Sequence, residues 1–177
     1  MPAAASAAPS PPPSPRHGTA IRDHTWATFS ENWRVDVHQV FSFAHAALLA
    51  PLAPGATVIS LSSGAARGGS PLSGGYAGAK ATIGFINAYA ASASERAGLG
   101  IRFAALLPQL TPATALGSTF VDAYATFNGV DRAAFLRQLG APLTPEHVGA
   151  AVIELTTAAD TPALAYALTA DGLVALS

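Results

Sequence analysis

Three short apolar segments, spaced by long stretches of helical periodicity, constrain this chain more than any other feature. Residues 57–61 (TVISL), 101–107 (IRFAALL) and 163–169 (ALAYALT) are β-branched or aliphatic runs of the length of buried strands. Before the first, Thr28-Phe29-Ser30-Glu31 fits a capping box, and Trp33, Val37, Val40, Phe41, Ala44 and Leu48 follow helical spacing until Pro51 and Pro54-Gly55. This predicts a helix over 28–50. A second helix is predicted over 75–97, carried by Tyr76, Ala79, Lys80, Ile83, Ile86 and Tyr89 and closed by Gly98 and Gly100. A third is predicted over 144–157, where Thr144-Pro145-Glu146 places a cap, a proline at the first position and an acid near the positive end. The serine- and glycine-rich residues 62–75 read as a loop, and 110–140 as irregular with one or two short helices, for example 131–139. Alternating helix and strand argues for an α/β fold: a partial three-layer arrangement with a parallel sheet of about three strands and helices on both faces.

Composition narrows the function. Half of the 177 residues are apolar and 11% are charged, enough for a sizeable core in one domain. A net charge of −1 offers no basic field for nucleic acid or an anionic membrane. Cysteine is absent, so disulfides, thiolate catalysis and cysteine-bound metals are excluded. The five histidines form no HExxH pattern. His24, His38 and His45 lack a clear further ligand and read as surface or packing residues, and Trp26 and Trp33 as core or interface aromatics. No apolar run is long enough to span a membrane, and residues 1–14 lack the basic start and apolar heart of a secretory signal, so a cytoplasmic location is expected. Residues 1–24, with Pro9-Ser10-Pro11-Pro12-Pro13-Ser14-Pro15, read as an unstructured tail before a domain at 25–177.

The chemistry concentrates in Tyr76-Ala77-Gly78-Ala79-Lys80. Residues four apart on a helix share a face. A phenol ionises near pH 10, and a neighbouring cation favours the phenolate, so the pair can act as a general acid/base. The only lysine of the chain stands at this position. Ser63, directly after the first strand, stands where functional groups gather in parallel sheets and could donate to a substrate carbonyl.

These segments, in this order, resemble the C-terminal half of a short-chain dehydrogenase/reductase. Residues 29–41 (FSENWRVDVHQVF) resemble the helix that carries the family's Val-Asn-x-x-Gly stretch. VISLSS at 58–63 resembles the strand ending at the catalytic serine, and Tyr76 to Lys80 matches the Tyr-x-x-x-Lys signature at the family's spacing from that serine. IRFAALLP at 101–108 resembles the strand before a Pro-Gly turn, and LTPEHVG at 143–149 the start of a later helix. The resemblance implies hydride transfer between NAD(H) or NADP(H) and an alcohol or ketone. Tyr76 would be the general acid/base, Lys80 would lower its pKa and hold the nicotinamide ribose, and Ser63 would polarise the carbonyl. Pro108 and Gln109 would border the cofactor, with Thr111 and Thr114 near the position where the family places a threonine.

The departures carry equal weight. The family's helix asparagine falls on Asp36, whose charge would favour the neutral phenol and could capture Lys80 directly. The family's Thr-Gly-x-x-x-Gly-x-Gly and Asn-Asn-Ala-Gly motifs are absent; GAARGG at 64–69 follows the serine strand instead. A dinucleotide diphosphate needs such a turn at the first strand. The expectation is therefore a truncated catalytic domain whose first strand is left as an open apolar edge. By the same resemblance, helices 28–50 and 75–97 would pair with another copy or a full-length relative, with Phe41, Phe43, Phe85 and Ile86 available. The alternative is a non-catalytic half-domain, either an assembly module or a truncated gene product, unable to bind the cofactor alone.

Overall fold

The computed structural model describes residues 18–158 and 163–176. The greater part of the expected tail, residues 1–17, lies outside the described residues. Its last part is not featureless: Ile21–Asp23 form a short 3-10 turn.

The three expected strands form β1 (Thr57–Leu61), β2 (Arg102–Pro108) and β3 (Ala165–Thr169), joined by a fourth, β4 (Gly172–Leu176). The sheet order is β1-β2-β3-β4, parallel from β1 to β3 and antiparallel at β4. The three expected parallel strands are present, and this hairpin adds an antiparallel fourth. Its signal was Asp171-Gly172: Gly172 has φ 118° and the Asp171 amide donates to Thr169 Oγ1 at 3.2 Å, a turn that reverses the chain at once.

Alternation along β2 divides the core between two faces. Ile101, just before β2, and Phe103 pack with Ala44, Ala47 and Ala90 on one side, while Ala104 and Leu106 pack with Leu143, Ala151, Leu155, Tyr166 and Leu168 on the other. The first face is covered by α2 (His38–Leu49) and α3 (Gly75–Arg96), the second by α6 (Pro145–Thr157). Helices on both faces follow from strands that are apolar on both sides. Among the described residues β1 pairs with β2 alone, and its last residue, Leu61, is 50% exposed.

Two helical expectations are corrected. The helix expected over 28–50 is broken: α1 (Trp26–Phe29) ends at Ser30, and a π-helical turn, Trp33–Val37, precedes α2. The capping box lies one turn earlier than expected, with Thr25 and Thr28 as its reciprocal partners. Residues 110–140 are less irregular than expected, because α4 (Ala115–Phe127) is a full 13-residue helix and only α5 (Arg132–Gln138) is short. Thr114 caps α4 by accepting from the Gly117 amide at 3.0 Å. Trp26 does not enter the core: it is 78% exposed and stacks on Phe29.

Candidate functional site

Two buried polar contacts fasten β1 to α3 and so bring the serine and the tyrosine together. Ser60 Oγ donates to Asn87 Oδ1 at 3.2 Å, and Asn87, fully buried, donates in turn to the Ile83 carbonyl at 3.1 Å. Ser62 Oγ donates to the Lys80 carbonyl at 2.7 Å, and its amide donates to the Leu106 carbonyl at 2.8 Å. Ser63 then leaves the sheet and caps the 3-10 turn Gly64–Arg67, accepting from the Ala65 amide at 3.2 Å. The start of α3 is set by α1. A Cβ at Gly75 would stand 1.8 Å from the Phe29 carbonyl oxygen, so only glycine permits this approach. Gly74 has φ 50° and lies beneath the ring of His24, which is hydrogen-bonded to Thr28 at 3.2 Å. Tyr76 follows directly.

A cleft of about 740 Å³ opens at the carboxyl ends of the strands. Ser63, Tyr76, Pro108, Gln109, Thr111 and Thr114 line it, beside Leu61 from β1 and residues 167–169 from β3. The opposite wall is aromatic. Tyr76 packs on Phe120 with ring centroids 5.7 Å apart, Phe120 on Tyr124 at 6.2 Å, and Tyr124 on Phe135 at 5.9 Å. Tyr124 also shares a hydrogen bond with Ser70, which is bonded to Ser73 at 3.0 Å. Phe120 and Tyr124 were missed by sequence reasoning because α4 was missed; their four-residue spacing behind Thr114 was the available signal.

Lys80 and Asp36 lie behind Tyr76 and do not line the cleft. Lys80 Nζ is 3.3 Å from Asp36 Oδ2, donates to the Leu61 carbonyl at 3.3 Å, and stands 5.6 Å from the centroid of the Tyr76 ring. Asp36 reaches it from the π-helical turn, a local widening that redirects side chains and recurs at functional sites. The ion pair is largely removed from solvent, with side-chain exposures of 13% and 22%.

The net outcome at Tyr76 is a raised pKa, not the lowered one that the tyrosine–lysine spacing implies. Burial pushes the phenol above its ordinary value, a Ser63 hydroxyl hydrogen bond draws it back, and the Asp36 charge adds to the rise. Asp36 takes Lys80 as its partner and leaves the phenol protonated at neutral pH.

Among the described residues no cluster of three or more His, Cys, Asp or Glu side chains converges on a metal position, and no helix is long and apolar enough to cross a membrane. His45 stacks on Phe41 at 5.5 Å.

A mostly parallel sheet with helices on both faces, and a cleft at its carboxyl ends, defines a Rossmann-like α/β class. The family model described as Enoyl-(Acyl carrier protein) reductase matches residues 3–172, and the chain belongs to this short-chain dehydrogenase/reductase family. Among solved structures, the chain is similar to sorbitol-6-phosphate 2-dehydrogenase from Erwinia amylovora (TM-score 0.66, 15% identity, 78% of this chain and 57% of that one). It is also similar to a putative dehydrogenase from Burkholderia cenocepacia with bound NADP (TM-score 0.52, 21% identity, 62% of this chain and 40% of that one). The chain thus spans about half the length of the structures it matches. No curated protein matches it.

Proposed function

We propose that this chain carries the catalytic half of an NAD(P)(H)-dependent alcohol/ketone oxidoreductase, with Tyr76 as its general acid/base. The observation that carries the reading is the joint opening of Ser63 and Tyr76 into one cleft at the strand ends. Its size and its wall of Pro108, Gln109, Thr111 and Thr114 suit a nicotinamide ring and its ribose. Among the described residues no glycine-rich turn before the first helix offers a cradle for the diphosphate. A bound nicotinamide supplies or accepts the hydride, and the chain's own side chains manage the proton. Ser63 donates to the substrate carbonyl. Tyr76, held protonated by burial and by Asp36, gives its proton to the developing alkoxide in reduction. Lys80 is held beneath the ring by Asp36 and the Leu61 carbonyl, behind the cleft wall, where its charge stands against the Tyr76 ring.

Titration of NADH and NADPH into the purified protein tests this reading. Micromolar binding of either supports it; no binding of either removes catalysis by this chain alone. A second reading, an assembly module, rests on the apolar outer faces of α2 and α3, where Phe41, Phe43, Phe85 and Tyr89 are 53–70% exposed. Ile86 is not part of that surface, since it packs inward against the sheet. On this reading another copy or a full-length relative covers the helices, and light scattering of the same sample reports a dimer; a monodisperse monomer counts against it.

Asp36 offers a sharper check. Tyr76 faces Asp36 and Lys80, and neutralising the carboxylate leaves the lysine uncompensated. Asp36→Asn therefore lowers the phenol pKa. The ionisation that alcohol oxidation requires moves to lower pH, and the acid limb of its pH–rate profile moves with it. An unchanged limb would mean that Asp36 does not govern the phenol.

A further inference from the structure

The cleft carries one formal charge, and it is positive. Of the side chains that line it, Arg67 is the only ionised one, and no carboxylate faces the cleft among the described residues. The other cations at or near the sheet are engaged: Lys80 with Asp36 at 3.3 Å, Arg132 with Asp122, and Arg102 with the Ala158 carbonyl at 2.9 Å. Arg67 is exposed and forms no ion pair among the described residues. Its guanidinium presents a planar fork of donors matched to a carboxylate or phosphate.

Arg67 is the last residue of the 3-10 turn that Ser63 caps, so both residues reach the cleft from one short segment. The lining is largely apolar, with Leu107, Leu110, Leu116, Phe120 and Val148 among its residues. Such a surface favours a substrate with a flat or aliphatic body.

We infer that the substrate is an anionic ketone or alcohol, with an apolar body and a carboxylate or phosphate that Arg67 binds in the cleft it shares with Ser63 and Tyr76. The inference rests on the proposed reading of Ser63 and Tyr76 as the groups that meet the carbonyl. Arg67 acts as a specificity residue: it anchors the substrate's anionic group.

Matched aryl ketones supply the test. Binding of 4-acetylbenzoate, 4-acetylphenyl phosphate and methyl 4-acetylbenzoate to the whole protein is measured by calorimetry, in the wild type and in Arg67→Gln. The expected result is that one anion, the carboxylate or the phosphate, binds at least tenfold more tightly than the neutral ester. Arg67→Gln should abolish that preference and leave the ester affinity unchanged. Whichever anion is preferred identifies its chemical source. Equal affinity of acids and ester in the wild type, a preference that survives Arg67→Gln, or no binding of any probe would overturn the inference. So would an Arg67→Gln protein that loses NADPH affinity but keeps its discrimination among the ketones, because the anion read would then be the cofactor's. Turnover separates the two claims: reduction of the ester and acids with equal kcat/KM defeats the anion inference alone, whereas discrimination in binding without any turnover defeats the oxidoreductase reading alone.

Discussion

Tyr76→Phe is expected to slow ketone reduction by about 10²–10⁴-fold in kcat, the range for loss of a positioned general acid. The substitution removes one oxygen and little else. The ring remains against Phe120, 5.7 Å between centroids, and Lys80 remains 5.6 Å from its centre. Removing the hydroxyl also removes its hydrogen bond with Ser63, so stability should fall by about 0.5–1.5 kcal/mol. The fall should appear in kcat, with KM nearly unchanged, because the proton moves only in the transition state. Steady-state kinetics beside a thermal melt separates this outcome from unfolding. A variant that folds and keeps more than a tenth of the wild-type rate would exclude Tyr76 as the acid.

Leu106→Ala should be the most damaging single change to the fold, at about 2–5 kcal/mol. Leu106 is fully buried in the central strand, between its β1 partner Leu61 and its β3 partner Tyr166, and packs beneath α6 with Leu143 and Leu155. A cavity there has sheet on two sides and can close only by moving α6. For a chain of this length the loss corresponds to a fall in Tm on the order of 10 °C, read by thermal denaturation. The Leu106 main-chain carbonyl, which accepts the Ser62 amide hydrogen bond at the end of β1, is kept in this variant, so the loss is one of packing. A fall of less than about 1 kcal/mol would mean that the site relaxes freely and is not the centre of the core.

Much of the architecture was legible in residue pattern. The runs at 57–61 and 101–107 became β1 and β2 almost residue for residue, and the helix from 75 ends within a residue of its expected close. These elements are apolar at the period their geometry demands, and their breakers stand next to them. Asp171-Gly172 and the Thr114 cap were equally visible, yet β4 and α4 were not anticipated. Short local signals gain meaning only when a neighbour waits to be covered: β4 has an edge to pair with, and α4 an aromatic face to bury.

The sequence by itself determined the fold class, the family, and that Ser63 and Tyr76 stand at the same end of the sheet, because strand order and helical spacing leave few other arrangements for them. Only the tertiary structure decided in which direction the Tyr76 phenol is shifted and what shares the cleft with it. A π-helical turn carries Asp36 onto Lys80, and burial raises the phenol pKa that the tyrosine–lysine spacing alone would have lowered. Burial, ion pairing and the walls of a cleft depend on residues far apart in the chain. No local pattern contains them, and they appear only when the sheet and its helices have closed together.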